Sequence, residues 1–224
     1  MQLNSIFESI QGEGIHIGIP MTFVRFSGCN LDCSWCDTKY HITGIEVSPE
    51  EVLKEILKFK NEYIFLTGGE PLIQDTVQLY SLFILLKEHK KKIIVQTNGT
   101  QYASGITTLL SHADFVSVDY KLPSSGQKQH PITLLDIIKH WKDKSQVKFV
   151  VKDIKDYEVM KEIIIYNKIE CPIIIQPCGF PSEGLSLPEI YSLYQKDHTY
   201  FQNDDIRFLP QLHKILWNPQ ERDR

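Results

Sequence analysis

The sequence predicts an α/β protein, built as a partial (β/α) barrel of about six parallel strands. Short β-branched runs alternate with segments of helical periodicity, and some runs, such as Ile173-Ile174-Ile175, are apolar without a break. Strands covered on both faces read in this way. The 224 residues fall short of the roughly 250 that a closed eight-fold barrel takes. Finally, the polar and glycine-rich segments follow the ends of the strand candidates, which is where such folds place their sites.

Taken in order, the first barrel strand is expected at Met21–Phe26, followed by the cysteine-rich loop 28–38. Ser48-Pro49-Glu50-Glu51 then announces a helix: Ser48 caps it, Pro49 takes the first position and Glu51 completes a capping box. Strand Tyr63–Leu66 leads into Thr76–His89, whose apolar residues recur at helical spacing. Strands Ile93–Gln96 and Phe115–Val118 come next, then a helical pattern over Ile132–Trp141. Strand Val147–Val151 precedes a helix at Asp156–Asn167, and strand Ile173–Gln176 precedes a second capping device at Ser186-Leu187-Pro188-Glu189. Ile206–Leu209 is the last strand candidate. No linker composition divides the chain, so a single domain over residues 1–224 is expected.

At 42% hydrophobic residues the chain can bury one substantial core. A net charge of -4 argues against a nucleic-acid binder. The one basic run, Lys87, Lys90, Lys91 and Lys92, lies between a helical pattern and a strand and reads as a solvated helix end. No apolar stretch reaches the ~20 residues that span a bilayer. Cysteines without an export signal point to the reducing cytoplasm.

The chemistry is concentrated in Cys29, Cys33 and Cys36, spaced C-x3-C-x2-C. Three thiolates are one short of the four that close an iron–sulfur cluster or a structural zinc site. A cluster held by three sulfurs leaves one iron open to a ligand. Rival readings are a disulfide framework, a zinc knuckle and packing cysteines. The odd total of five cysteines opposes the first, and the second would want a fourth ligand, for which only His41 is close on the C-terminal side. Cys171 and Cys178 lie too far apart in sequence to form a second pair. Downstream, Thr67-Gly68-Gly69-Glu70-Pro71 ends an apolar run. Paired glycines permit close approach of a ligand and Glu70 can accept from an ammonium, although alone the segment also reads as a tight strand-to-helix turn.

Together, the cysteine triplet and the Gly-Gly-Glu-Pro turn resemble the radical S-adenosylmethionine superfamily. The resemblance implies a 4Fe-4S cluster on Cys29, Cys33 and Cys36, whose open iron chelates the methionine amino and carboxylate groups. Gly69 and Glu70 would hold that amino group, and Trp35 would stand against the adenine. An electron from the cluster would break a C–S bond, and the resulting 5′-deoxyadenosyl radical would take hydrogen from the substrate.

A narrower likeness rests on Phe7-Glu8-Ser9-Ile10-Gln11-Gly12-Glu13-Gly14, Phe23-Val24-Arg25-Phe26-Ser27-Gly28-Cys29-Asn30-Leu31 and Cys36-Asp37-Thr38. It continues through Thr97-Asn98-Gly99-Thr100, Asp119-Tyr120-Lys121-Leu122-Pro123, Gln176-Pro177 and Gln211-Leu212-His213-Lys214. This pattern resembles the 7-carboxy-7-deazaguanine synthase family over nearly the whole chain. It implies ring contraction of 6-carboxy-5,6,7,8-tetrahydropterin with release of ammonia, feeding queuosine- or archaeosine-type tRNA modification through a small molecule. By the same resemblance, Ile10, Gln11, Gly12 and Arg25 bind the pterin and its carboxylate, and Thr67, Gln96 and His213 contact it. Thr38 offers a hydroxyl to Mg2+. Gly69, Glu70, Asp119, Tyr120, Lys121, Gln176, Pro177, Cys178 and Gly179 line the S-adenosylmethionine site. An electron donor such as a flavodoxin or ferredoxin and a homodimer are implied as well.

Each assignment has a plain alternative: a structural ion pair for Arg25, a turn threonine for Thr38, and a core or surface histidine for His213. Cys171 reads as packing. The chain also departs from the family, with Gln96 where Glu is frequent and a tail beyond Trp217. Rival functions are a glycyl-radical activase-like enzyme and a non-catalytic electron carrier.

Overall fold

The computed structural model describes residues 1–101, 104–128, 137–179 and 184–217. Its strands are β1 (Gln2–Ile10), β2 (Pro20–Phe26), β3 (Ile45–Glu46), β4 (Tyr63–Gly68), β5 (Lys92–Thr97), β6 (Phe115–Tyr120), β7 (Ser145–Val151), β8 (Ile173–Pro177) and β9 (Ile206–Phe208). They form one sheet in the order β3-β1-β2-β4-β5-β6-β7-β8-β9. Every pairing from β2 to β9 is parallel, which gives the expected partial barrel, with seven parallel strands when β9 beside β8 is counted. Sequence reading missed β1 and β3, which pair antiparallel at the other edge. β1 carries Asn4, Ser5, Glu8 and Ser9 among its apolar residues, and this mixed pattern hides it beside the apolar barrel strands.

The helices are α1 (Pro49–Ile56), α2 (Thr76–Glu88), α3 (Ser104–Ser111), α4 (Ile154–Asn167), α5 (Leu187–Asp197) and α6 (Leu212–Leu216). The capping boxes expected at Ser48 and Ser186 are both formed. Most of the helix expected at Ile132–Trp141 lies outside the described residues, and its described part, 137–140, is helical.

Strand parity divides the barrel strands into two faces. Outward residues such as Val24, Leu66, Val95, Val118, Phe149 and Ile175 pack beneath the helices in the main core. Inward residues form layers. Met21, Phe65, Ile94 and Phe115 make a small apolar floor with Ile15, Ile19 and Phe23. Farther along the same strands the inward positions turn polar, at Arg25, Thr67, Gln96, Asp119 and Lys148. Register aligns Arg25 with Thr67 and Asp119 with Lys148.

The β1–β2 connection enters the barrel instead of skirting it. Ile15 N donates to Gln146 Oε1 at 2.9 Å, and Gln146 in turn donates to Ser117 Oγ at 2.8 Å. Gly14 adopts φ 73°, and a Cβ there would fall 2.1 Å from Gln146 Nε2, so only glycine admits this path. The chain's last described helix returns to the same connection, with Leu212 N donating to Gly12 O at 2.9 Å.

Candidate active site

At the C-terminal ends of the parallel strands lies a cavity of about 1350 Å³, lined from loop 28–38, the Gly-Gly-Glu-Pro turn, the β1–β2 connection and the C-terminal segment. Single small-ligand sites usually enclose about 300–1,000 Å³. There is room here for two small molecules side by side.

One wall carries Cys29, Cys33 and Cys36. The loop that bears them runs backbone to backbone against the end of β4. Gly69 N donates to Phe26 O at 3.0 Å and Glu70 N to Gly28 O at 2.9 Å. A Cβ on Gly68 would lie 2.2 Å from Phe26 O, and one on Gly69 would lie 1.6 Å from Gly28 O. Both glycines are therefore required by the approach of the two chains, whatever ligand is present.

Glu70 lies almost wholly out of solvent. Its carboxylate accepts from Leu72 N at 3.0 Å, Thr97 Oγ1 at 2.8 Å and Asn98 N at 2.7 Å. Burial still pushes its pKa up to about 7 against those bonds. Glu70 thus holds the loop after β5, and Asn98 from that loop donates to Asn30 Oδ1 at 3.0 Å beside Cys29.

The donor set suits an iron–sulfur cluster. Burial raises all three thiols, Cys33 to about 11, a protonated state that metal coordination reverses. Leu31 N already donates to Cys29 Sγ at 3.4 Å. Among the described residues, no three His, Cys, Asp or Glu side chains lie close enough to hold one metal ion.

In the same cavity, the Arg25 guanidinium lies 5.3 Å from the ring centres of both Phe7 and Tyr40. Its Nη1 reaches Thr38 Oγ1 at 3.5 Å, and that hydroxyl donates to Asp37 Oδ1 at 3.0 Å. His213 Nε2 stands 3.6 Å from Asp37 Oδ2. A Cβ on Gly12 would fall 2.4 Å from His213 Nδ1, so the absence of a side chain at Gly12 seats the histidine. Ile10, Gln11, Gly12, Arg25, Thr38, Thr67, Gln96 and His213 all line the cavity.

The cavity is also bordered by a largely buried chain of alternating charge. Lys148 Nζ contacts Glu13 Oε2 and, at 2.9 Å, Asp119 Oδ2, while Lys121 Nζ lies 3.0 Å from Asp119 Oδ1. Glu13 Oε1 accepts from Gln176 Nε2 at 2.7 Å and Gln211 Nε2 at 2.8 Å. Burial opposes ionisation of Glu13, but the adjacent Lys148 ammonium and these donors outweigh it and hold the pKa at about 2. The same two carboxylates hold Lys148 above the usual lysine range, although burial opposes its charge.

Of the residues expected around S-adenosylmethionine, Gly69, Glu70, Asp119, Lys121, Cys178 and Gly179 reach the cavity, and Tyr120, Gln176 and Pro177 do not. Parity explains two of these. With Asp119 facing inward, Tyr120 must face outward, where it joins the main core and packs on Phe149. Pro177 likewise alternates with Gln176, and Gln176 is fully buried beneath Glu13. Sequence reasoning missed Glu13 and Lys148. The available signal was a lysine inside the run Val147-Lys148-Phe149-Val150-Val151, a charge where a covered strand has no reason to carry one.

The sequence profile of the radical SAM superfamily matches residues 23–181, so the chain belongs to that superfamily. A 7-carboxy-7-deazaguanine synthase from Clostridium acetobutylicum is 33% identical over 223 residues, covering 96% of each chain. One from Thermoplasma acidophilum is 31% identical over 97% of each. The crystal structure of QueE from Escherichia coli has the same fold, with a TM-score of 0.65 and 22% identity across 92% of this chain and 93% of that one. The chain is a member of the 7-carboxy-7-deazaguanine synthase family, a radical S-adenosylmethionine enzyme that uses an iron–sulfur cluster. No helix among the described residues is long and apolar enough to cross a membrane.

Proposed function

We propose that this chain converts 6-carboxy-5,6,7,8-tetrahydropterin to 7-carboxy-7-deazaguanine with release of ammonia, in the synthesis of 7-deazapurines of the queuosine and archaeosine type. The observation that carries the reading is one cavity lined both by the three cysteines and by Arg25, Asp37, Thr38 and His213. A 4Fe-4S cluster on Cys29, Cys33 and Cys36, bound with S-adenosylmethionine, supplies the one-electron chemistry that starts hydrogen abstraction.

The chain's own residues bind, orient and exclude water. Arg25 meets the substrate carboxylate with its planar fork, and Phe7 and Tyr40 restrict where that fork can turn. Thr38 and Asp37 would offer a hydroxyl and a carboxylate oxygen to Mg2+, which prefers such hard donors. Ile10, Gln11, Gly12, Thr67, Gln96 and His213 border the ring system. Gly69, Asp119, Lys121, Cys178 and Gly179 border S-adenosylmethionine, and Trp35 faces its adenine. The chain works as one domain in the cytoplasm, as a homodimer, with a flavodoxin or ferredoxin as reductant.

Anaerobic reconstitution, with iron and sulfide analysis followed by product detection from the carboxypterin, tests the assignment. Cys29→Ala, Cys33→Ala and Cys36→Ala should each lose the cluster, while Cys171→Ala and Cys178→Ala keep it. A full cluster in Cys33→Ala, or S-adenosylmethionine cleavage without product from the carboxypterin, would refute the reading.

A further inference from the structure

Asp156 is fully buried, is the third residue of α4 and takes no part in lining the cavity. Its two oxygens nevertheless take three donors. Oδ1 accepts from Ser124 N at 2.9 Å, and Oδ2 accepts from Ser124 Oγ at 2.6 Å and from Lys152 N at 2.9 Å. Capping α4 does not account for this, because Asp153 already fills that role by accepting from Asp156 N at 2.9 Å. Two of the three bonds are spent on Ser124, in the turn that follows β6.

Ser124 faces the cysteine loop. Its Oγ accepts from Trp35 Nε1 at 3.0 Å and its carbonyl accepts from Ser34 Oγ at 2.7 Å, while Ser125 O accepts from Ser34 N at 3.0 Å. Ser34 and Trp35 are the two residues between Cys33 and Cys36, whose turn is closed by Cys36 N donating to Cys33 O at 3.2 Å. The direction of the hydroxyl is fixed by charge. A carboxylate can only accept, so the Ser124 proton points to Asp156 and the oxygen's lone pair is left for the indole N–H. An amide at position 156 would turn a donor either toward the Ser124 N–H or toward both the Ser124 hydroxyl and the Lys152 N–H, so that at least one of the three bonds is lost in either orientation.

We propose that Asp156 is a positioning residue for the cluster and its cofactor: acting through Ser124, it sets the Cys33–Cys36 turn and the plane of Trp35. The proposal rests on the reading of Cys33 and Cys36 as cluster ligands and of Trp35 as the adenine-facing ring. Lys121 stands 5.2 Å from the Trp35 ring centre, so displacement of the ring would also release a cation beside the cofactor.

The test uses the reconstituted protein, with cluster loss to a ferrous chelator and equilibrium binding of S-adenosylmethionine as readouts, neither of which requires turnover. Asp156→Asn should lose its cluster about tenfold faster and bind S-adenosylmethionine about tenfold more weakly, the effect of one charge-assisted hydrogen bond. Ser124→Ala should move both in the same direction by less; it keeps the backbone bond to Asp156 and carries the test if Asp156→Asn does not fold. In Asp156→Asn/Trp35→Phe the two effects on cofactor binding should be less than additive, since Trp35→Phe already lacks the indole donor. Full additivity, or wild-type chelation and binding in Asp156→Asn with only a lower melting temperature, would reduce Asp156 to a structural residue and overturn the proposal. A wild-type protein that takes up no cluster would overturn the cysteine reading, and this inference with it. Wild-type cluster uptake with unaltered cofactor affinity in Trp35→Ala would overturn the adenine-facing role alone, and with it the cofactor half of the proposal.

Discussion

The cysteine wall and the charged floor of the cavity hold their positions by different forces. The wall is held by uncharged contacts: two glycines let β4 run against the cluster loop, and backbone and hydroxyl bonds to Ser124 and Ser125 fix its far side. The floor is ionic, with Glu13, Lys148, Asp119 and Lys121 alternating in sign in a space that admits little water. The floor's carboxylates and ammoniums balance one another, and they tie the β1–β2 connection, which carries Gln11 and Gly12, to the strands that carry Asp119 and Gln176. The contrast suggests that disturbing the floor will cost global stability, whereas disturbing the wall will cost the cofactor first.

The largest effect should come from Lys148→Met. It leaves Glu13 and Asp119 facing each other across a buried site with one ammonium, Lys121, remaining. Breaking a buried ion pair from one side costs about 3–5 kcal/mol. Denaturant titration should show a loss of that size, and the double variant Lys148→Met/Glu13→Gln should recover part of it because the stranded carboxylate is gone. An unchanged midpoint in Lys148→Met would mean that the floor is not the stabilising unit described here. The acid limb offers a second reading of the same site. Glu13 has a folded pKa of about 2 against an ordinary value of 4.5. Its contribution is complete above the ordinary value and is lost as pH falls through the folded one. Glu13→Gln should therefore flatten the stability profile between those two values and leave its shape above them alone.

This difference in forces also decided what could be read from the chain. The cysteine wall was legible because its chemistry is contiguous: Cys29 to Thr38 and Thr67 to Pro71 each carry their meaning within a dozen residues. The barrel strands were legible for the same reason, as covered strands are apolar over their own length. The floor was not, because residues 13, 119, 148, 176 and 211 meet only after seven parallel strands have formed. The Tyr120 side chain is a different case. Period-two alternation from Asp119 already sends it to the opposite face, and the likeness of the Asp-Tyr-Lys segment to a cofactor loop obscured that arithmetic. Glu70 borders the cavity, yet its oxygens hold Leu72, Thr97 and Asn98, contacts with no local signature.

Gly69→Ala sharpens the comparison from the other side. The new methyl group meets Gly28 O and must push the cluster loop away from β4. Overpacking of this kind costs about 1–3 kcal/mol, less than the floor variant. Cluster retention and S-adenosylmethionine binding should nevertheless fall much further than thermal stability does, because the displaced segment leads directly into Cys29. If stability and cluster retention decline in proportion, the wall is not the separate unit that its uncharged contacts imply.

The smallest effect belongs to Gln96, which stands between wall and floor at the end of β5 and belongs to neither. It is half-buried, faces inward by parity and lines the cavity, in register with Ser117 of β6. The family frequently carries Glu here, an acceptor with charge, whereas Gln offers one neutral carbonyl and two donors. A pterin edge that presents N–H groups can still be met by the carbonyl, at a loss of charge-assisted strength. Gln96→Leu removes that acceptor and should raise the carboxypterin KM about fivefold, corresponding to roughly 1 kcal/mol for one neutral hydrogen bond. Gln96→Glu should stay active with an equal or lower KM. Because the residue touches neither the ionic floor nor the cysteine loop, melting temperature, cluster retention and S-adenosylmethionine affinity should remain at wild-type levels in both variants. An unchanged KM in Gln96→Leu would mean that substrate does not reach this part of the cavity, and the pterin would then have to lie nearer Arg25 and His213.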